Sequence, residues 1–284
     1  MLLYYWQVTY FTDSSKIILG VFFGLLIALM IYIAFRIIEM SYVMRYKKPF
    51  YIHLPIWMRS LSHNQRAILH NQFAFYSKLL PRQQRYFEHR VAAFMKDKRF
   101  VGRESLLVTD EMKVLISATA VMLTFGFRDF YIGLIDRIFI YPNIFYSVGN
   151  GSFHKGEFNP KLRTLVLSWK HFRRGFEIET DKVNLGIHEF AHAIHLNSIK
   201  ERDVSSTIFS DSFQELTDLL TKEEELRKEL VSSNYFRDYA YTNQFEFLAV
   251  LIESFIEKPK EFKEQFPQVY SKTKQMLNFN FAGY

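Results

Sequence analysis

The sequence predicts an α+β fold, in which a mostly helical domain with a small sheet follows one apolar helix near the N-terminus. Apolar residues recur at helical spacing along most of residues 56–284, and two short segments are rich in β-branched and aromatic residues. Residues 17–35, by contrast, are apolar without interruption. Since 49% of the 284 residues are hydrophobic, the chain can bury a hydrophobic core and does not need disulfide bonds or a structural metal in order to fold.

The apolar run is long enough, as a helix, to cross most of a membrane's hydrocarbon core. A buried core helix or a cleaved signal peptide fits less well, because the run is long for a signal sequence and no small-residue cleavage site follows it. The flanking cations are unequal: Lys16 before the run, and Arg36, Arg45, Lys47 and Lys48 after it. By the positive-inside rule, we expect a single-pass protein of the bacterial cytoplasmic membrane whose catalytic domain faces the cytoplasm.

The expected organisation has four parts. They are a short extracytoplasmic N-terminus (residues 1–16), a transmembrane helix in the lipid bilayer (17–38), a basic juxtamembrane linker (39–55) and the folded domain (56–284). Gly20 and Gly24 have the spacing that lets two membrane helices approach closely. A homodimer through this face stays an open alternative, since glycine is common in membrane helices anyway.

Helical patterns follow one another along the folded domain. Ser62 and Gln65 form a capping-box pattern that predicts a helix start, and apolar residues recur at helical spacing from there to Leu80. Further helices are predicted after Pro81, over about residues 114–127, 184–196, 212–230 and 243–256, and after Pro259. Strands are predicted at 138–141 and 164–169, with a glycine-containing loop at 143–161 between them.

The composition excludes several kinds of site. The chain has no cysteine, so disulfides, thiolate metal sites and a cysteine nucleophile are excluded, and any metal must be held by His, Asp or Glu. The net charge of +7 invites a nucleic-acid interpretation, but no helix-turn-helix, RNA-binding or zinc-finger pattern is present. We therefore expect no direct nucleic-acid binding, because basic residues near an anchor more often face anionic lipid.

The segment NLGIHEFAHAIH carries a His-Glu-x-x-His motif at His188, Glu189 and His192. On a helix, residues four apart lie on one face, so the two histidines can bind one zinc ion. Glu189 points beside the metal, where a general base takes a proton from zinc-bound water. Two histidines and a glutamate are costly to bury on such an apolar helix without a metal, which favours a zinc site over merely polar histidines.

Two residues, His195 and Glu246, are candidates for the third zinc ligand. A glycine at 195 and a histidine at 198 would continue the motif as in astacin-like enzymes, but the chain has His195 and Ser198. His195 lies about 10 Å of helix rise beyond His188, which favours a structural or ligand-supporting role. Glu246 is the better candidate, because it lies on an apolar helix pattern where a carboxylate needs a partner. Glu253, on the same stripe, could orient a ligand histidine or form a surface salt bridge.

These residues resemble the Mlc titration factor A family of zinc peptidases, glucose-regulated metallopeptidases whose catalytic domain is similar to that of anthrax lethal factor. The blocks that carry the resemblance are IFIYP at 138–142, LVLSW at 165–169, NLGIHEFAH at 184–192, DYAYTNQFEFLAV at 238–250, and Phe266 with Pro267. The resemblance covers about residues 56–277. It implies a zincin-like metallopeptidase domain with one Zn²⁺ per chain.

The resemblance also implies roles for individual residues. His188, His192 and Glu246 would bind the zinc ion, and Glu189 would be the catalytic base. Tyr239 would donate a hydrogen bond to the oxyanion, although a packed aromatic with its hydroxyl at the surface is an equal alternative.

The resemblance further implies that the strand at 165–169 lies beside the motif helix, where an extended substrate could pair its backbone. The sequence departs from the family in two places. The family usually has aspartate where this chain has His195, and the family's namesake looks soluble, whereas this chain has the apolar run.

The expected function is therefore membrane-anchored, zinc-dependent hydrolysis of a peptide or protein substrate. The alternative is a membrane-tethered protein that sequesters a transcription regulator, since the family's namesake is known for binding a transcriptional repressor. The complete motif favours the enzyme, because a pure binder needs no general base. A heat-shock-type membrane protease is disfavoured, since such enzymes carry several apolar runs. The substrate, endopeptidase or aminopeptidase action, and closure of the site by residues 146–161 stay open.

Overall fold

A computed structural model describes residues 13–53, 57–177 and 183–284 of the chain. The chain divides into two compact units, Met1–Tyr46 and Lys47–Tyr284.

The first unit contains a single long helix, α1 (Asp13–Tyr46), within its described residues. The predicted apolar helix is therefore present, and it extends beyond residues 17–38. The most apolar part of α1 is not buried by other described residues. A helix of 34 residues is about 51 Å long, more than the roughly 30 Å of a bilayer's hydrocarbon core. By length and composition, α1 could cross a membrane.

The second unit is mostly helical. Its helices are α2 (His63–Gln72), α3 (Ala74–Ser77), α4 (Pro81–Asp97), α5 (Asp110–Leu123), α6 (Trp169–Glu177), α7 (Leu185–Lys200), α8 (Val204–Lys222), α9 (Glu224–Ser232), α10 (Gln244–Glu257), α11 (Pro259–Gln265) and α12 (Pro267–Met276). A 3-10 turn, Asp238–Tyr241, precedes α10. The predicted fold class, mostly helical with a small sheet, is confirmed.

Within the described residues, the principal sheet has four strands in the order β1 (Arg99–Gly102), β2 (Arg137–Tyr141), β6 (Thr164–Ser168) and β5 (Gly156–Asn159). The first three are parallel, and β5 runs antiparallel to β6 at the sheet edge. Strands β3 (Phe145–Ser147) and β4 (Ser152–His154) form a separate antiparallel hairpin. The predicted strands at 138–141 and 164–169 correspond to β2 and β6. The predicted loop 143–161 instead contains three strands.

Non-helical backbone divides three segments that were each predicted as a single helix. The helix capped by Ser62 ends at Gln72, since Phe73 has φ −129° and ψ 87°. Glu223, with ψ 82°, separates α8 from α9 inside the predicted helix at 212–230. Phe266 separates α11 from α12, because the residue before a proline is disfavoured in the helical region.

The core is centred on α5 and α7. Every residue of α5 from Val114 to Leu123 is buried, as its apolar sequence predicts. Helix α7 packs against α5, α8 and α10, and also against β5 and β6. Phe190 of α7 is fully buried. Burial of such a side chain contributes roughly 1.5–3 kcal/mol. The motif helix is therefore held from several directions, which fixes the side chains on its remaining face.

Candidate metal centre

The helix that carries the motif begins at a well-formed N-cap. The side chain of Asn184 accepts a hydrogen bond from the amide of Ile187 at 3.1 Å and donates to the carbonyl of Gly175 at 3.0 Å. The cap satisfies one of the free amides of the first turn and ties it to α6. His188 therefore lies one turn into a helix whose start is fixed.

His188, His192 and Glu246 converge on one point. The two Nε2 atoms lie 3.1 Å apart. Glu246 Oε2, from the first turn of α10, lies 3.0 Å from Nε2 of His188 and 3.6 Å from Nε2 of His192. The structure thus brings together all three sequence-predicted ligands, and these three side chains could hold a metal ion.

The donor set fits a zinc ion. Zinc-to-donor bonds of about 2.0–2.1 Å at tetrahedral angles place donor atoms about 3.3 Å apart, close to the three distances observed. Glu246 Oε2 is buried and makes no hydrogen bond of good geometry within the described residues, although two ring nitrogens are near. Three acceptors that face one another in this way are an arrangement that a cation satisfies.

The electrostatics of the cluster also favour a cation. Burial by itself lowers the pKa of His188, but Glu246 and Glu253 outweigh it and raise that pKa to about 9. Burial by itself raises the pKa of Glu246, but the His188 and His192 imidazoles hold it well below its usual range. The cluster therefore binds positive charge strongly, as a proton or as a metal ion.

Glu253 contacts both His188 and Arg237, on the Nδ1 side of the imidazole ring. Glu253 is fully buried, and its Oε1 lies 2.7 Å from Nδ1 of His188 and 2.6 Å from Nη2 of Arg237. Its Oε2 accepts the amide of Asn184 at 2.9 Å. Glu253 is thus buried against His188, and the surface salt bridge that was the other alternative is not what the structure has. With Nδ1–H donating to Glu253, the lone pair of His188 Nε2 faces Glu246 and His192.

Arg237 contacts the candidate site and was not predicted from the sequence. Its signal is weak, because a single arginine before the DYAY block has no periodic pattern around it. A buried glutamate such as Glu253 requires a cation or several donors, but the sequence does not indicate which of its 36 lysines and arginines is the partner.

Glu189 is buried beside the cluster, and β5 packs directly against it. Burial is the main cause that raises the pKa of Glu189 to about 7, while His188 and His192 act to lower it. A Cβ atom added to Gly156 would lie 2.6 Å from Glu189 Oε1, so only glycine permits this approach of the strand. The edge strand thus confines the carboxylate from one side.

Tyr239 lies at the mouth of the site, in the 3-10 turn. Its ring centroid is 6.0 Å from that of His188, and 49% of the residue is exposed. Burial of the hydroxyl end and the nearby Glu246 raise the pKa of Tyr239 to about 12. The phenol therefore keeps its proton at neutral pH and can donate a hydrogen bond.

His195 lies apart from the metal cluster. It is buried among phenylalanine rings, with centroids 4.8 Å from Phe213 and 5.0 Å from Phe245. Burial is the main cause that lowers the pKa of His195 to about 4. A neutral imidazole in an aromatic environment is a packing residue, which agrees with the structural role expected for His195.

A cleft of about 560 Å³ opens beside the cluster. Its lining side chains come from the β4 end of the hairpin, from α6, from α7 and from the 3-10 turn. They include Phe153, Lys155, His171, Arg174, His188, Glu189, Arg237 and Tyr239. Strand β6 lies between β2 and β5, so the expected pairing of substrate with residues 165–169 is wrong. The strand beside α7 with an open edge in the described sheet is β5.

The fold and the site together define the class of a candidate metallopeptidase: a helix with two histidines and a buried glutamate, a carboxylate from a second helix, and an edge strand beside them. The chain belongs to the glucose-regulated metallo-peptidase M90 family, whose sequence profile matches residues 55–278. The resemblance seen in the sequence is thereby confirmed.

Two relatives are similar to this chain over most of its length. An uncharacterised protein of Synechocystis sp. is 27% identical over 229 residues, which cover 76% of this chain and 83% of that protein. The Mlc titration factor A of Pectobacterium atrosepticum is 27% identical over 199 residues, which cover 62% of this chain and 72% of that protein.

Proposed function

We propose that this protein is a zinc-dependent peptidase in which His188, His192 and Glu246 hold the metal and Glu189 is the general base. The single observation that carries the proposal is the convergence of the three donor atoms beside a buried glutamate. A glutamate as third ligand makes this the gluzincin type of site. Family membership implies a metal, and an all-nitrogen-and-oxygen donor set of this spacing suits zinc.

Bound zinc would lower the pKa of its water toward neutrality and polarise the substrate carbonyl. Glu189 takes a proton from the attacking water and later transfers it to the leaving amine nitrogen. Glu253 holds His188 with its Nδ1–H donated to the carboxylate. The Tyr239 hydroxyl donates a hydrogen bond to the developing oxyanion. An extended peptide would pair its backbone with the open edge of β5, which carries it past Glu189.

We further propose that the peptidase is anchored in a membrane. Helix α1 would anchor the chain in the bacterial cytoplasmic membrane, and the cations after residue 35 would keep the catalytic unit in the cytoplasm. A Cβ atom built at Gly20 or Gly24 meets no described atom within 4 Å, so a second copy of α1 could pack there.

The alternative is a membrane-tethered binding protein. One relative is named Mlc titration factor A, which favours a transcription regulator as a partner of this chain too. In that case, the zinc site would be secondary. The buried Glu189 weighs against this alternative, because capture of a regulator needs no general base.

The deciding experiment measures zinc content and peptide hydrolysis for the wild type, Glu246→Ala and Glu189→Gln. We expect one zinc per chain in the wild type, a much weaker zinc site in Glu246→Ala, and full zinc without turnover in Glu189→Gln. A folded wild type that takes up no zinc from a metal-supplemented medium would favour the binding protein. Full activity in Glu189→Gln would refute the assignment of the base.

A further inference from the structure

Three basic side chains, which we call the basic cluster, line the metal cleft away from the ligands: Lys155, His171 and Arg174. Lys155 and Arg174 are exposed, and His171 is half-buried. Within the described residues, no carboxylate pairs with any of them. Arg237, which also lines the cleft, is different because Glu253 neutralises it at 2.6 Å. Among the described residues, the positive charge of the basic cluster is therefore not paired with a carboxylate.

The fold holds the basic cluster in place through Ser168. This residue is fully buried at the end of β6, and its amide donates to the carbonyl of Lys155 at 2.7 Å. Its hydroxyl lies 2.8 Å from Nδ1 of His171. When the hydroxyl donates to Nδ1, the Nε2 of His171 carries the proton and can donate it to a ligand. Arg174 follows His171 by three residues on α6, and such residues share a helix face.

Lys155 and Arg174 lie close enough to His171 to affect its protonation. Burial, and then Lys155, Lys170 and Arg174, lower the pKa of His171. Like charges gathered at a cleft repel one another, and a bound anion relieves this repulsion. The cluster is thus complementary to a negatively charged group of a ligand.

The position of the cluster relates it to the proposed reaction. Lys155 directly precedes Gly156, the residue of β5 that packs on Glu189. One strand residue spans about 3.3 Å, so a peptide paired along β5 passes the cluster within a few residues of its scissile bond. Peptides carry carboxylates at their C-terminus and on aspartate and glutamate side chains. A guanidinium and an ammonium bind such groups through charge-assisted hydrogen bonds.

We propose that Lys155, His171 and Arg174 form a carboxylate subsite, so that the peptidase prefers substrates with an acidic side chain or a free C-terminus near the cleaved bond. This inference rests on the proposed function for its substrate class. The site itself, however, is defined by the cleft and can be tested by binding alone.

The test uses the full-length, zinc-loaded protein in detergent and a set of matched peptides. One pair differs only by glutamate against glutamine within an N-acetylated, C-amidated peptide, scanned across successive positions. A second pair has no acidic side chain and differs only by a free or amidated C-terminus. The variants are the double substitution Lys155→Gln with Arg174→Gln, and the control Lys170→Gln. Lys170 lies on the same helix and carries the same charge, but it does not line the cleft.

We expect the wild type to cleave the carboxylate member of one pair with at least tenfold higher kcat/KM, mainly through a lower KM. The pair that shows the preference identifies the source of the carboxylate. The double variant should lose the preference, and Lys170→Gln should keep it. Hydrolysis of both members at equal rates by the wild type would overturn the inference while leaving the peptidase proposal intact.

If no peptide is cleaved, binding measurements test the carboxylate subsite separately from the peptidase activity. Fluorescence anisotropy of the same labelled peptides, with wild type and with Glu189→Gln, measures Kd without turnover. Carboxylate-dependent binding that the double variant loses would support the subsite even for an inactive protein. Equal Kd values for acidic and amide peptides would refute the subsite.

Discussion

Glu253 Oε1 lies 2.7 Å from Nδ1 of His188, whose other ring nitrogen faces Glu246. One buried carboxylate therefore fixes the tautomer and the ring orientation of a candidate metal ligand. The same carboxylate accepts a hydrogen bond from the backbone amide of Asn184, the N-cap residue of α7. The start of the motif helix and the orientation of its first histidine are thus set by a single residue of α10.

This relationship predicts the effect of Glu253→Gln. The amide keeps the shape of the side chain but loses the charge that raises the basicity of His188, so zinc affinity should fall about 10–100-fold. Competition with a chromogenic chelator measures this affinity. Glu229→Gln on the surface helix α9 is a control that should leave zinc affinity unchanged. Wild-type zinc affinity in Glu253→Gln would show that the carboxylate does not support the metal site.

Gly156→Ala should damage catalysis more than folding. The added Cβ would lie 2.6 Å from Glu189 Oε1 and 2.8 Å from its Cγ, so either β5 or the Glu189 side chain must shift. A displacement of about 1 Å at a catalytic group costs on the order of 100-fold in rate. Peptide turnover and zinc content check the prediction, with zinc expected to stay bound.

Gly149→Ala is the matched control for this substitution. Its Cβ would have Ser147 Oγ as nearest described neighbour at 3.9 Å, an ordinary contact. The control should therefore keep wild-type turnover. Equal losses in both variants would mean that the hairpin region tolerates no alanine, and that Gly156 has no special relation to Glu189.

Local patterns carried most of what the sequence could predict about the fold. The capping box at Ser62, the apolar α5 and the i, i+4 histidines are encoded within one or two turns, and each is present in the structure. Strand β5, with the sequence GEFN, has no alternating apolar pattern and exists because it pairs with β6. Helix α6 was missed for a similar reason, since its sequence is rich in charge and contains a glycine.

The residues of the candidate site differ in the same respect: some are indicated by local sequence patterns, and others only by tertiary contacts. His188, Glu189 and His192 lie on one helix, so local spacing was enough to propose them. Glu246 reaches the cluster only through the packing of α10 on α7, which no spacing rule gives; its unpaired carboxylate was the clue. Arg237 neutralises Glu253 across a tertiary contact, and a lone arginine offers no comparable clue.

His53 should lower the stability of the second unit, Lys47–Tyr284, as the pH falls. Burial is the main cause that lowers its pKa to about 3, and the charges of Arg90, Arg82 and His89 act in the same direction. Because the folded-state pKa lies below the unfolded value of about 6.5, its contribution to stability is present above pH 6.5 and is lost as the pH falls toward 3.

His53→Phe removes this titration and keeps an aromatic ring beside Tyr86, whose centroid is 4.5 Å away. The acid-induced loss of unfolding free energy between pH 7 and pH 4 should be smaller in the variant by on the order of 1–2 kcal/mol, since partial exposure screens the effect. Urea unfolding of the full-length protein in detergent at several pH values measures it. Parallel pH profiles for the two proteins would contradict the prediction.

Tyr239→Phe tests the oxyanion role against the packing role for this tyrosine. If the hydroxyl donates to the oxyanion, the variant should lose about 10²–10³-fold in kcat with little change in KM, because the hydrogen bond forms in the transition state. Zinc content should be unchanged, since the phenol is not one of the three converging donors. Tyr241→Phe is the matched control, because its hydroxyl donates to the carbonyl of Leu230 at 2.8 Å and does not line the cleft. A kcat in Tyr239→Phe equal to that of the control would show that Tyr239 only packs at the rim, and that the oxyanion has no side-chain donor at this position.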